Sequence, residues 1–243
     1  MLDVLAEAAD AVRSALAELA DWGPAGTRVG QYHSDLAADA AALGVLADAG
    51  FGVLSEESGL VDGDRDVVVV IDPVDGSTNA SRGVPWFATS LCALDRDGAL
   101  AAVVLDLANG RTYRASRGGG ATCDGQRLSP SGAVELRASV VGLSGYPTRH
   151  FGWHQYRALG AAALDLCAVA GGVLDGYVDC SHDAHGVWDY AGALLVCREA
   201  GAVVADAFGR ELLVRDPAAR RTPVAAATLE LLEELLAARS SMP

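Results

Sequence analysis

The segment Val67-Val68-Val69-Val70-Ile71-Asp72-Pro73-Val74-Asp75-Gly76-Ser77-Thr78-Asn79 decides how this chain folds. Five consecutive β-branched residues, Val67 to Ile71, read as a strand buried on both faces, which is where a parallel or mixed central sheet places such a run. The run stops at Asp72. Pro73 has no N–H and holds its predecessor extended, so the strand is predicted to end there. Asp75 follows three residues later, and Gly76 permits backbone conformations closed to other residues. Ser77, Thr78 and Asn79 bring two hydroxyls and an amide to a place where a new turn or helix leaves N–H groups unpaired. Two carboxylates beside free N–H donors have the chemistry to hold divalent cations and a phosphate together. Taken alone, the segment also fits an ordinary acidic turn.

Upstream, Leu2, Leu5, Ala9, Val12, Leu16 and Leu19 recur at three- and four-residue spacings and predict an amphipathic helix over 2–20 that packs on a core. Ser34 is the predicted N-cap of a second helix over 35–49, closed by Gly50, with Asp35 in its first turn. A short strand over 51–54 leads into Ser55-Glu56-Glu57-Ser58, where adjacent glutamates point to opposite sides, so one of the two is expected to face a shared site. Downstream, strands over 88–94 and 99–105 are joined by the turn Asp95-Arg96-Asp97-Gly98, and a further strand covers 111–115. Arg117-Gly118-Gly119-Gly120 has the look of a phosphate loop. It is followed by a second turn and not by a helix, which excludes the dinucleotide and P-loop readings.

Ser129-Pro130-Ser131-Gly132 marks a boundary between two halves, 1–132 and 133–243. The second half is predicted to hold a strand over 139–143, a helix over 156–170, a strand over 177–179 and a helix over 190–200 capped by Gly201. Strands over 202–204 and 211–214 and a closing helix over 224–238 complete it. Strands and helices alternate, which places the chain in the α/β class with mixed α+β and α/β halves.

With 243 residues, 51% hydrophobic and 21% charged, the chain has the composition of a globular protein with a substantial core. All 18 basic residues are arginine, and the net charge is −14. No basic stripe is present to neutralise nucleic-acid phosphates, and an anionic substrate would need a local positive charge that bound metal can supply. The five scattered cysteines form no C-x-x-C pair and read as reduced thiols. No apolar run approaches spanning length, so a cytoplasmic protein without membrane contact is expected.

Four acidic signals stand at strand ends or helix starts: Asp35, Glu56 with Glu57, Asp72 with Asp75, and Asp189. Each has an ordinary explanation taken singly; Asp189, for instance, can simply cap a helix. Together, Ser55-Glu56-Glu57-Ser58, Asp72 through Asn79, and Trp188-Asp189-Tyr190-Ala191-Gly192 resemble, in order, the motifs of the inositol monophosphatase family. The hairpin from Arg117 to Leu128 is also similar to one in that family.

The resemblance implies a five-layered αβαβα sandwich and Mg²⁺-dependent hydrolysis of a small phosphate monoester by metal-activated water. Glu56, Asp72, the carbonyl of Val74, Asp75 and Asp189 would bind two or three Mg²⁺ ions, with Mn²⁺ a possible substitute. Oxygen-only ligands suit such hard cations and not zinc. Glu56 counts with the catalytic residues, while Ser77, where the family usually has threonine, would act with Asp35 to orient and deprotonate the water. The N–H groups of Gly76, Ser77 and Thr78 would hold phosphate oxygens. Gly160, Ala162 and Asp179 match positions that contact the rest of the substrate.

Some features depart from the pattern. Asp179 is shorter than the usual glutamate, and Ala80 stands where an aromatic is common. The segment before Asp35 lacks the basic residue often found there. The loop from Cys180 to Val187 is longer, and its His182 and His185 are expected to face solvent or the substrate rim. Inositol 1-phosphate is the leading substrate; histidinol phosphate, fructose 1,6-bisphosphate and 3′-phosphoadenosine nucleotides are alternatives. The resemblance further implies a lithium-sensitive homodimer. A non-catalytic role as a partner of transcription machinery is the alternative from another class, and the full set of ligands speaks against it.

Overall fold

The computed structural model describes residues 1–242. Helices α1 (Leu2–Ala17) and α2 (His33–Asp48) pack on each other and on one face of an eight-stranded sheet. Its strands are β1 (Gly52–Ser55), β2 (Gly59–Val61), β3 (Val68–Asp75), β4 (Ala88–Asp95), β5 (Gly98–Asp106), β6 (Thr112–Ser116), β7 (Gly120–Cys123) and β8 (Gln126–Arg127), in the order β2-β1-β3-β4-β5-β6-β7-β8. The β1–β3 pair is parallel and the other pairs are antiparallel, so the sheet is mixed. The short helix α3 (Ser77–Arg82) links β3 to β4.

The second sheet contains β9 (Val140–Ser144), β10 (Gln155–Arg157), β11 (Gly176–Asp179), β12 (Val203–Asp206) and β13 (Pro223–Ala226), in the order β10-β9-β11-β13-β12. Helices α4 (Ala162–Ala170) and α5 (Ala191–Ala200) lie between the two sheets, and α6 (Leu229–Ser240) covers the far face of the second. The result is five layers, helix–sheet–helix–sheet–helix. Every residue of α4 is buried, as a helix between two sheets must be, and its alanines let both sheets approach closely.

The β-branched run behaves as its composition dictates. Val69 and Ile71 face the core beneath α1 and α2, whereas Val68 and Val70 face the core around α4 and α5. Each such side chain contributes roughly 1.5–3 kcal/mol through burial. The strand does not stop at Asp72, as its proline suggested, but continues to Asp75. Asp72 pairs with Ser90 and Asp75 with Ala88, so three steps on β3 oppose two on β4. Pro73 falls within this bulge, where the ladder is already interrupted and a missing N–H costs little.

Other expectations are corrected. The second helix begins at His33 with Tyr32 as its cap, and Ser34 is inside it. The expected helix over 156–170 is shorter, because Tyr156 belongs to edge strand β10 and Gly160 adopts φ +87° before α4 begins. Residues 211–214 are irregular. The start of the expected 224–238 helix is instead the buried strand β13, and the helix proper begins after Thr228, whose hydroxyl accepts from the Leu231 N–H. Alanine favours helix locally, yet Val224, Ala225 and Ala226 are recruited by pairing with both β11 and β12.

Candidate active site

The end of β3 is fastened to the middle layer. Both oxygens of Asp75 accept hydrogen bonds from the first turn of α4, from Ala162 N at 3.2 Å and Ala163 N at 2.6 Å. Asp72 is buried, and its Oδ1 accepts from the Val74 N–H at 3.0 Å. Gly76 sits at φ +85°; a Cβ there would stand 3.1 Å from Ala161 Cβ, the Gly160 carbonyl and the Trp86 carbonyl. Only glycine suits both the left-handed geometry and this close approach. Asn79 donates to the carbonyls of Trp86 at 2.8 Å and Leu159 at 2.7 Å. Together these contacts join the motif to the loop that precedes α4.

Three carboxylates from separate parts of the chain converge. Glu56 follows β1, Asp72 lies in β3, and Asp189 ends the 3₁₀ turn Val187–Asp189 before α5; one oxygen of each lies within 4.8 Å of the others. Asp75 stands beside this trio with its oxygens on α4. Burial, followed by the charges of Asp189 and Glu57, raises the pKa of Glu56 from 4.5 to about 7. Asp72 is pushed well above the usual range by burial, then by Glu56 and Asp75. Burial, then the Asp189 charge, takes Asp75 to about 8. Carboxylates this close are costly to ionise together unless a cation lies between them. An all-oxygen donor set fits a hard divalent cation such as Mg²⁺ or Mn²⁺, so the residues present suit the metal that the resemblance implies. Val74 lies buried in the bulge between Asp72 and Asp75.

Through Glu56 the trio borders a cleft of about 650 Å³ that is also lined by Asp35, Ser77, Trp188 and two arginines, Arg28 and Arg220. Asp35 is buried in the first turn of α2, where its Oδ2 accepts from the Tyr32 N–H at 2.8 Å. Burial is the main reason that its pKa rises to about 6. The Tyr32 hydroxyl lies 3.2 Å from the Thr78 hydroxyl, which connects α2 to α3. Gly76, Ser77 and Thr78 form the start of α3, where N–H groups have no intrahelical acceptor. Asp35 and Ser77 therefore share one cleft.

The remaining residues are distributed differently from the pattern. Glu57 does not join the trio; its carboxylate pairs with Arg28 at 2.7 Å. Arg28 is thus a basic group at the cleft, although the segment before Asp35 lacks one at the expected position. Its sequence position, seven residues ahead of Asp35 in a glycine-bearing loop, gave no sign of this. Gly160 is exposed, and Ala162 is buried with its N–H on Asp75. Asp179 is fully buried and does not line the cleft. His182 does face solvent, against the ring of Phe208. His185 does not: it is turned inward and only 13% exposed, with Nδ1 3.0 Å from Asp189 Oδ2. Burial alone would lower its pKa, but the Asp189 hydrogen bond and charge, with Asp179 and Asp75, raise it to about 9. The Gly118 and Gly120 N–H groups each donate to the Glu199 carboxylate at 2.8 Å, so an internal anion fills the loop that looked like a phosphate site.

The family model described as the inositol monophosphatase family matches residues 35–242. The chain belongs to the inositol monophosphatase family. Members are phosphatases, that is, phosphoric monoester hydrolases, and are generally metal-dependent. The chain is 39% identical over 177 residues to an inositol-1-monophosphatase of Mesorhizobium japonicum, covering 66% of this chain and 65% of that protein. It is 32% identical over 197 residues to a fructose-1,6-bisphosphatase of Pyrococcus furiosus, covering 80% and 77%. A solved structure from Pyrococcus horikoshii, described as similar to inositol-1 monophosphatase, superposes with a TM-score of 0.84 at 26% identity over 97% of this chain and 95% of the other. Among the described residues, no helix is long and apolar enough to cross a membrane.

Proposed function

We propose that this protein hydrolyses a small phosphate monoester to an alcohol and inorganic phosphate with Mg²⁺, and that inositol 1-phosphate is the first substrate to test. The observation that carries the reading is the convergence of Glu56, Asp72 and Asp189 beside a cleft that Glu56, Asp35 and Ser77 line. Glu56, Asp72, Asp75, Asp189 and the Val74 carbonyl would hold two or three ions. Bound there, the metal supplies a lowered pKa for the attacking water and charge stabilisation for the leaving oxygen.

The chain's own groups do the rest. The N–H groups of Gly76, Ser77 and Thr78 would orient the phosphate, and the Ser77 hydroxyl, which makes no side-chain hydrogen bond among the described residues, is free to receive the water's proton and pass it to Asp35. The raised pKa of Asp35 suits it to accept that proton. Gly160 and Ala162 would border the rest of the substrate. The halves 1–132 and 133–243 would each contribute ligands, Asp189 from the second. A homodimer sensitive to lithium belongs to the same reading.

Relatives named for inositol-1-phosphate and fructose-1,6-bisphosphate hydrolysis both match the chain, so the deciding experiment is a panel. Phosphate release with Mg²⁺ is measured on inositol 1-phosphate, histidinol phosphate, fructose 1,6-bisphosphate and 3′-phosphoadenosine 5′-phosphate, with Asp75→Asn as control. Fast turnover of one compound, absent in the control, supports the reading and names the substrate. No turnover and no Mg²⁺ binding refutes it.

A further inference from the structure

The reaction outlined above makes no use of His185, yet its largely enclosed imidazole packs against Asp189 of the carboxylate trio. Nδ1 lies 3.0 Å from Asp189 Oδ2, and the same oxygen accepts from the Gly186 N–H at 2.8 Å. A carboxylate oxygen only accepts, so Nδ1 carries the proton. On the far side of the ring, Nε2 is 3.2 Å from the Tyr177 hydroxyl and 3.8 Å from Asp179 Oδ2. Tyr177 can donate to Nε2 or accept from it, so the bridge holds whether the imidazole is neutral or charged. The backbone of His185 is also fixed, by paired hydrogen bonds with Arg221.

Asp179 has no exposed surface. Its Oδ1 accepts from Ser181 N at 2.9 Å, and its Oδ2 is buried without a hydrogen-bond partner, 3.8 Å from the imidazole Nε2. A buried carboxylate oxygen left in this way is costly, and the imidazole edge that it faces is the group placed to offset that cost. The buried Arg239 holds the backbone there by donating to the carbonyls of Asp179 and Ser181. Two donors saturate Asp189 Oδ2 and leave Oδ1 without one.

We propose that His185 is a positioning residue that fixes Asp189 as a one-oxygen metal ligand, with Tyr177 and Asp179 steadying the imidazole from behind. This rests on the metal-dependent reading above. It assigns Asp179 a part exerted through His185 and not a contact with the substrate. Groups behind a ligand set its orientation, and their loss costs about 10–100-fold in metal affinity or activity.

The test measures Mg²⁺ and Mn²⁺ dissociation constants by calorimetry on the whole protein without substrate, and kcat and KM on the best substrate of the panel. His185→Asn keeps an N–H near the position of Nδ1 and is expected to bind Mg²⁺ within about threefold of wild type, whereas His185→Gln and His185→Ala weaken it about 10–100-fold. Asp179→Asn is expected to weaken Mg²⁺ binding and lower kcat with KM for the substrate unchanged. Wild-type Mg²⁺ affinity in folded His185→Gln or His185→Ala overturns the proposal, and so does an Asp179→Asn variant whose KM rises at unchanged Mg²⁺ affinity. If the His185 variants do not fold, Tyr177→Phe, which removes only the hydroxyl, and Asp179→Asn decide by the same criteria. A wild-type protein that binds neither metal sinks the metal-dependent reading itself, a result distinct from equal binding by wild type and variants.

Discussion

Stripped of divalent cations, the protein is expected to lose stability as pH rises from about 5 to about 8. Folding takes Glu56 from 4.5 to about 7 and Asp75 from 3.8 to about 8, chiefly through burial. Between the unfolded and folded values the folded chain holds more protons, so stability is greatest near the lower value and falls as pH passes through the upper one. At about 1.4 kcal/mol per pH unit, these two groups set an upper bound of roughly 7 kcal/mol between about pH 5 and pH 8. Glu56, Asp72 and Asp75 repel one another and share their protons, and solvent at the cleft mouth screens the last charges, so a loss of about 3–5 kcal/mol is expected. His185 acts in the same direction. Its folded value of about 9 lies above 6.5, so its contribution is complete below about pH 6.5 and is lost as pH rises through 9.

For a chain of this size the change corresponds to a fall in melting temperature of roughly 6–20 °C. The assay is thermal unfolding of EDTA-treated protein at about pH 5 and pH 8 in about 0.15 M salt, with and without Mg²⁺. Mg²⁺ at a fixed concentration of about 100 times its Kd at pH 8 adds about 2.7 kcal/mol there and less at pH 5, where protons compete for the ligands. Asp72→Asn removes one charge from the trio. It is expected to raise metal-free stability at pH 8, flatten the pH slope and abolish the Mg²⁺ response. A metal-free melting temperature that is level or rises over this range, or an equal Mg²⁺ response at both pH values, refutes the reasoning.

Gly76→Ala places a methyl group at φ +85° against two carbonyls and Ala161; the backbone alone costs about 1–2 kcal/mol and crowding adds to it, so chemical denaturation is expected to show a loss of about 2–4 kcal/mol together with reduced phosphate release. A loss below about 0.5 kcal/mol contradicts the close packing. Asn79→Ala leaves the carbonyls of Trp86 and Leu159 without their donor, with an expected cost of about 1–3 kcal/mol and faster hydrogen exchange at Ala162 and Ala163; protection unchanged from wild type argues against the fastening role. Glu199→Ala removes the acceptor of Gly118 and Gly120. Stability is expected to drop by about 1–3 kcal/mol while Mg²⁺-dependent phosphate release is retained, and a selective loss of turnover in a stable variant would return that loop to the candidate phosphate sites.

The sequence by itself determined the elements that rest on local chemistry. A run of five β-branched residues favours a strand buried on both faces, Asp95–Gly98 turns a hairpin, and the order of the Glu56, Asp72–Asn79 and Asp189 motifs identifies the family before any fold is known. Local rules failed where distant partners decide. Pro73 stays in β3 because a bulge against β4 absorbs its missing N–H. The segment 223–226 becomes a strand because β11 and β12 leave a slot between them, which outweighs alanine's helical preference. The positions taken by Arg28, Asp179 and His185 are not given by their local sequence. Arg28 reaches the cleft by pairing with Glu57, 29 residues away, and His185 is turned inward because Tyr177, Asp179 and Asp189 surround it. Residue types and their order record which chemistry a chain can perform. Which groups lose their water and meet depends on packing between segments far apart in sequence, and only the tertiary structure decides that.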